Sequence, residues 1–172
     1  MERRASIELR AKGRRLEGYA ALFDTSTRIA DFEEIIVRGA FSASLRDKRD
    51  ILALADHDPR SVLARTKSGT LRLAEDSRGL AFDFDVPDTN AGRDMLALAE
   101  RGDLGGASFG FTVPKGGEHW QGNRRELRSV NLAEISVVSS IPAYDGTTVQ
   151  ARAQQIALPP RLARARRWLD TL

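Results

Sequence analysis

Over most of the first 140 residues, hydrophobic and polar positions alternate with a period of two, which predicts strands rather than helices. Ile7, Leu9 and Ala11 alternate with charged residues, and Leu16 to Phe23 follows after Gly13. The pair reads as two half-exposed strands joined by a turn, with Gly18 marking a bulge. Asp31 to Val37 has an apolar centre and predicts a further strand. Phe41 and Leu45 stand four apart across Ser42 to Arg46, which predicts a short helix. Ile51 to Ala55 is apolar on both faces, the mark of a buried strand. It runs out at Asp56-His57-Asp58-Pro59, where Pro59 cannot donate to a ladder and stiffens the corner. Val62 to Arg65, Gly69 to Ala74 and Leu80 to Val86 continue as antiparallel strands, with turns at 67–69 and 76–79.

Asp88-Thr89-Asn90 offers a helix cap, and Ala91, Met95, Leu98 and Ala99 form the apolar stripe of a helix reaching Arg101. Gly102 suits the position just past its end. Gly105 to Val113 then alternates again. Ala107, Phe109, Phe111 and Val113 make one apolar side, and Gly106, Ser108, Gly110 and Thr112 make the other. A glycine-rich tip over 116–122 predicts a hairpin back to Arg124–Val130. In Asn131 to Ser139, the alternation sets Ala133, Ile135 and Val137 on one face, and Leu132, Glu134, Ser136 and Val138 on the other. Pro142 to Thr147 predicts a turn that closes the body. The whole is mainly β with peripheral helices, an α+β chain.

After Gln150 the composition shifts to Ala, Gln, Arg and Pro. Leu162, Ala165, Leu169 and Leu172 follow at spacings of 3, 4 and 3 among arginines, which predicts a basic amphipathic helix beyond a linker. The organisation is therefore a body over 1–150 and a linker with a helix over 151–172.

Charge sharpens this division. Residues 1–15 and 151–172 each carry +4, and the chain totals +3, so residues 16–150 carry −5. A nucleic-acid-binding core needs a basic face of its own. This acidic body lacks one, so nucleic acid is a disfavoured partner. The chain has no cysteine and only two histidines, His57 and His119, which leaves metal and thiolate chemistry unsupported. No phosphate-cradling glycine loop appears, and no cofactor is expected. No apolar run approaches a membrane span, and the stretch from Met1-Glu2-Arg3-Arg4 lacks the apolar core expected of a signal peptide.

Ser108 is a lone hydroxyl between two glycines on its strand face. That arrangement fits a nucleophile beneath a bound peptide, and it equally fits a half-buried strand with small residues outward. Acyl transfer by serine needs a base within hydrogen-bond reach and a group that orients the base. His57 at a strand exit and Glu134 in an otherwise apolar strand complete such a set. Each also has an ordinary reading, His57 as a turn residue beside two aspartates and Glu134 as a solvent-facing carboxylate. His119 reads as a solvated loop residue.

Taken together, these segments resemble the prohead maturation proteases of tailed bacteriophages. The carriers are His57-Asp58-Pro59, Gly106-Ala107-Ser108-Phe109-Gly110-Phe111, and Glu134-Ile135-Ser136-Val137-Val138 with Pro142-Ala143-Tyr144. Gly18 to Asp24 and Glu34 to Phe41 are similar to that family too, so the resemblance covers about residues 5–150. It implies a herpesvirus assemblin-like β-barrel and a serine endopeptidase acting inside the procapsid, in the host bacterial cytoplasm. The implied substrates are the scaffolding segment of the major capsid protein and the protease itself. Ser108 would attack, His57 would carry the proton, and Glu134 would hold the imidazole. Herpesvirus relatives use a second histidine in the third place. Glu134 is preferred to His119 because a strand fixes a side chain better than a glycine-rich loop, and Asp56 and Asp58 remain alternatives. Assemblin-type relatives dimerise, which implies a homodimer.

Three further expectations follow. The open Gly106 and Gly110 face would leave room for an extended peptide beside the strand. The Ser139-Ser140-Ile141 turn is a candidate oxyanion site. The basic tail would dock on scaffold or capsid, be self-cleaved, or pack on the body. The competing function is a catalytically silent structural component of the procapsid on the same fold.

Overall fold

A computed structural model describes residues 1–6 and 9–139 of the chain. In chain order the elements are β1 (Glu2–Ser6), β2 (Leu9–Lys12), β3 (Arg15–Leu22), β4 (Thr27–Ile29), β5 (Phe32–Ile36), α1 (Ser42–Arg46), β6 (Leu52–Ala55), β7 (Asp58–Arg65), β8 (Leu71–Glu75), β9 (Gly79–Asp85), α2 (Asn90–Arg101), β10 (Gly106–Thr112), β11 (Glu118–Gln121), β12 (Arg124–Leu127) and β13 (Asn131–Val138). The described chain is thus mainly β, as the alternation predicts. The expected 142–147 turn, residues Ser140 and Ile141, and the basic helix lie outside the described residues.

The strands form three sheets, ordered β1-β10-β13-β6-β7, β11-β12-β5-β4 and β2-β3-β9-β8. The barrel that the resemblance implies is not among the sheets described. Two pairings are parallel, β13 with β6 and β12 with β5, and all the others are antiparallel. The site depends on the five-stranded sheet. Its inner face carries Ala107, Phe109 and Phe111 from β10, with Ile135 and Val137 from β13 and Ala53 and Ala55 from β6, all buried. Phe109 meets Phe41 edge-on at 5.4 Å and stacks on Phe111 at 5.1 Å. Truncating a fully buried phenylalanine such as Phe109 costs about 3–5 kcal/mol, so this packing holds the plane of the strand that carries Ser108.

Several elements differ from the expectations. The first strand, β1, is almost wholly polar and charged (Glu-Arg-Arg-Ala-Ser) and carries no hydrophobic alternation. It is held by ions. Arg4 donates to Glu34 at 2.5 and 2.8 Å, and Arg125 donates to Glu2 at 2.5 and 2.8 Å and to Glu34 at 3.0 Å. Burial pushes the Glu2 carboxyl up, but hydrogen bonds and charge from Arg125 and Arg4 outweigh it and hold the group below its usual value. The hydrogen bond to Glu2 in turn raises the Arg125 guanidinium above its ordinary value.

The bulge expected at Gly18 falls instead between Tyr19 and Ala21, where Ala20 is the extra residue. Ala20 is fully buried, so the irregularity turns an additional methyl toward the core. A second bulge opposes Gly110-Phe111 to Glu134 and Leu132, and leaves Ala133 unpaired and exposed. Leu132 therefore joins the core with Ile135, which simple alternation assigned to opposite faces. The glycine-rich tip contains β11. The hairpin is β11 with β12, and β12 then pairs with β5 rather than returning to β10.

The two helices agree closely with the sequence pattern. In α2, Thr89 caps the start by accepting from the Gly92 amide at 3.1 Å, and Gly102 ends it in the left-handed region at φ 76°. Neither described helix is long and apolar enough to cross a membrane.

Candidate active site

Histidine 57 is placed by a tight turn. Ala55 pairs with Asp58, so Asp56 and His57 are the two central residues of the β6–β7 hairpin. Both have positive φ, 48° and 62°. Two-residue hairpin turns favour such values because their twist matches the strands, but they normally recruit Asn and Gly to reach them. Holding a histidine there costs about 1–2 kcal/mol, and strain of this kind concentrates at functional sites. The turn is fastened to the end of β13. The Asp56 amide donates to Val137 at 2.9 Å, and the Asp56 carboxylate accepts from the Ser139 amide at 2.7 Å and the Ser139 hydroxyl at 2.8–2.9 Å. Asp56 is thus occupied away from the imidazole, and Asp58 accepts from Arg60 and Ser61. Pro59 lies inside β7, an edge strand with an irregular ladder at that point, where a missing N–H does no harm.

The register of the sheet does the rest. Ser108 faces Ser136 directly, and Gly110 faces Glu134. Residues opposite one another project on the same face, as do residues two apart. Ser108, Ser136 and Glu134 therefore share the face opposite the phenylalanines. Because β6 runs parallel to β13, its exit delivers His57 at the Val137 end of that face. The His57 Nδ1 then donates to Glu134 Oε1 at 2.7 Å, across 77 residues of sequence. An ionised carboxylate can only accept, so this bond puts the ring proton on Nδ1 and leaves the Nε2 lone pair available.

The pair is withdrawn from water. His57 is 9% exposed, Glu134 6% and Ser108 2%. The solvent-facing reading of Glu134 does not describe the folded chain, and His57, although it lies in a turn between two aspartates, is buried. His57 Nε2 has no hydrogen-bond partner among the described residues, and neither does the Ser136 hydroxyl. The structure thus pairs His57 with Glu134 and sets Ser108 on the same face, one strand from Ser136, without a hydrogen bond between Ser108 and the imidazole. His119 is elsewhere, on β11 opposite Glu126.

Gly110 has a specific role here. A Cβ at this position would lie 2.8 Å from Glu134 Cγ and 2.9 Å from Oε1. The Glu134 side chain occupies the space above the glycine. The expected peptide path beside β10 needs correction, however. β1 pairs with one edge of β10 and β13 with the other, so both edges are taken. Sequence pattern also passes over Arg3, whose Nε lies 3.3 Å from Glu134 Oε1. Nothing in a charged run such as Glu2 to Arg4 distinguishes it. Among the described residues no group of three or more His, Asp or Glu could hold a metal ion.

Comparison with known proteins gives the class. A family model described as caudovirus prohead serine protease matches residues 2–160, and the chain belongs to that family. It is a protease of phage capsid maturation. Among solved structures, the chain is similar to the bacteriophage T4 capsid assembly protease gp21, with a TM-score of 0.48 and 12% identity over 80% of this chain and 99% of that one. No curated protein matches.

Proposed function

We propose that this chain is a serine endopeptidase that cleaves the scaffolding segment of the major capsid protein, and itself, inside the procapsid. The observation that carries the reading is the buried 2.7 Å bond from His57 Nδ1 to Glu134 Oε1 on the face that Ser108 shares. Ser108 Oγ attacks the scissile carbonyl carbon as His57 Nε2 takes its proton. Glu134 stabilises the resulting imidazolium. The tetrahedral intermediate collapses when His57 protonates the leaving amine, and the C–N bond breaks to leave an acyl-serine. Water, deprotonated by the same Nε2, releases the acid and restores Ser108. No metal or cofactor enters this scheme. Apo geometry in such sites is commonly looser than in the substrate complex, so the unpartnered Nε2 is compatible with it.

The same reading takes residues 1–150 as the protease body in an assemblin-like barrel arrangement. Residues 151–172 are then a linker and basic helix that docks on capsid or scaffold or is removed by self-cleavage. The partners are the capsid precursor and a second copy of the chain, within the host bacterial cytoplasm. Support comes from the family match over residues 2–160, a range that includes the three site segments, and from the +4 tail.

Co-expression with the capsid precursor tests the proposal. The native chain shortens the precursor, whereas Ser108→Ala and His57→Ala do not. Shortening that survives Ser108→Ala removes the serine mechanism. Intact-mass measurement of the active and Ser108→Ala chains under assembly conditions tests self-cleavage, and identical full-length masses would sink it.

A further inference from the structure

Three residues on adjacent strands stand in one row of the site sheet: Arg3 on β1, Gly110 on β10 and Glu134 on β13. Residues opposite one another share a face, so Arg3 projects to the same side as Glu134. Two strand spacings amount to about 10 Å between their backbones, within the reach of an arginine side chain. The residue between them is the glycine, and any Cβ there would fill the gap that Glu134 occupies. Through it, Arg3 Nε comes within 3.3 Å of Glu134 Oε1, the same oxygen that accepts from His57 Nδ1. Among the described residues these two are the partners of Glu134.

We propose that Arg3 is a positioning residue of the catalytic site, its guanidinium sharing Glu134 Oε1 with His57 and holding the carboxylate in the orientation the imidazole needs. This rests on the serine-protease reading above. A carboxylate whose one oxygen is hydrogen-bonded to His57 and ion-paired with Arg3 cannot swing without losing both contacts. If Glu134 turns, the imidazole loses the anchor that keeps its proton on Nδ1 and Nε2 free to act as base. The Arg3 side chain is 44% exposed and that of Glu134 only 8%. Solvent screens part of the charge of a half-exposed guanidinium, so the contact acts as an ion pair at the edge of the site, steering the carboxylate rather than adding much stability. Arg4 is not a substitute. It serves Glu34 and Glu2 in the separate ion network that docks the strand. The first strand therefore has two duties: Glu2 and Arg4 fasten it, and Arg3 reaches into the site.

The test uses the full chain and a fluorophosphonate, whose phosphorus bonds to Ser108 Oγ and releases fluoride as the base takes the hydroxyl proton. Wild type, R3Q and R3K are compared for inactivation rate at saturation and for apparent binding, with thermal melting as a check of fold. R3Q slows inactivation about tenfold, the effect expected when the ion pair is lost and the carboxylate is held less closely in place, and apparent binding does not change. R3K, which can still form an ion pair with Oε1, recovers to within about threefold of wild type. The downfield proton resonance of His57 Nδ1–H shifts or broadens in R3Q and persists in R3K. An R3Q chain that reacts at the wild-type rate overturns the role of Arg3. If R3Q does not fold, R3K decides, and a folded R3K losing tenfold or more overturns it. Absence of labelling in wild type, or labelling that persists in Ser108→Ala, overturns the serine reading itself.

Discussion

Glu134 lies over Gly110, so closely that a Cβ on residue 110 would stand 2.8 Å from its Cγ. The atoms in the way belong to a side chain that can swing aside, not to backbone. Gly110→Ala is therefore predicted to fold but to melt below wild type, because the displaced carboxylate gives up its buried bond to His57. The swing carries Oε1 away from His57, and misplacement of about 1 Å in a catalytic group costs about 100-fold. Capsid-precursor cleavage falls by about 100-fold or more. A Gly110→Ala chain with near-native activity would show that the Glu134 position is not needed.

The third catalytic position can be settled by comparing two variants. Glu134→Gln keeps the volume but cannot neutralise an imidazolium, and is predicted to lower kcat by about 10²- to 10⁴-fold. His119→Ala, on the β11–β12 hairpin, stays within about twofold of wild type. The reverse ranking would transfer the role to His119.

Asp56 supports the His57 turn from outside the site. It takes positive φ and accepts from both the amide and the hydroxyl of Ser139. Asp56→Ala is predicted to lower stability by about 1–2 kcal/mol in denaturant unfolding, given the exposure of these bonds. Amide exchange at Ser139 should accelerate in step. Unchanged exchange there would mean that the turn is held by other contacts.

Acid should release the first strand before the core melts. The folded Glu2 carboxyl titrates below its ordinary value of 4.5, because bonds and charge from Arg125 and Arg4 outweigh burial. Its contribution is then complete above the unfolded value and is lost as pH falls through the lower folded one. Hydrogen exchange of the β1 amides is predicted to rise between about pH 4.5 and the acid limit while those of Phe109 and Ile135 stay protected. Glu2→Gln removes this pH dependence, and exchange that stays flat across the range would refute the role of the ion network.

Reading along the chain recovers most of the elements, because alternation and turn residues are local properties. The helix over 90–101, with its Thr89 cap and Gly102 stop, is legible from caps and an apolar stripe. Helix 42–46 and the strands around Ser108 and Glu134 are legible for the same reason. β1 is not, since a strand held by Arg4, Glu34, Glu2 and Arg125 has no hydrophobic period to read. Bulges at Ala20 and Ala133 escape as well, because they record how one strand fits another.

Local pattern supplies the candidates: a hydroxyl between two glycines, a histidine at a proline-stiffened strand exit, and a carboxylate in an apolar strand. Choosing among their ordinary and chemical readings needed contacts that no local pattern encodes. A parallel pairing of β6 with β13 brings His57 to Glu134 across 77 residues. An antiparallel pairing of β10 sets Ser108 beside Ser136 and empties the space over Gly110 for Glu134. Strand pairing is a long-range event set by the packing of Phe109, Phe111 and Ile135 beneath the sheet. For that reason the burial of Glu134 against an imidazole, and the reach of Arg3 to the same oxygen, emerge only once the strands are paired.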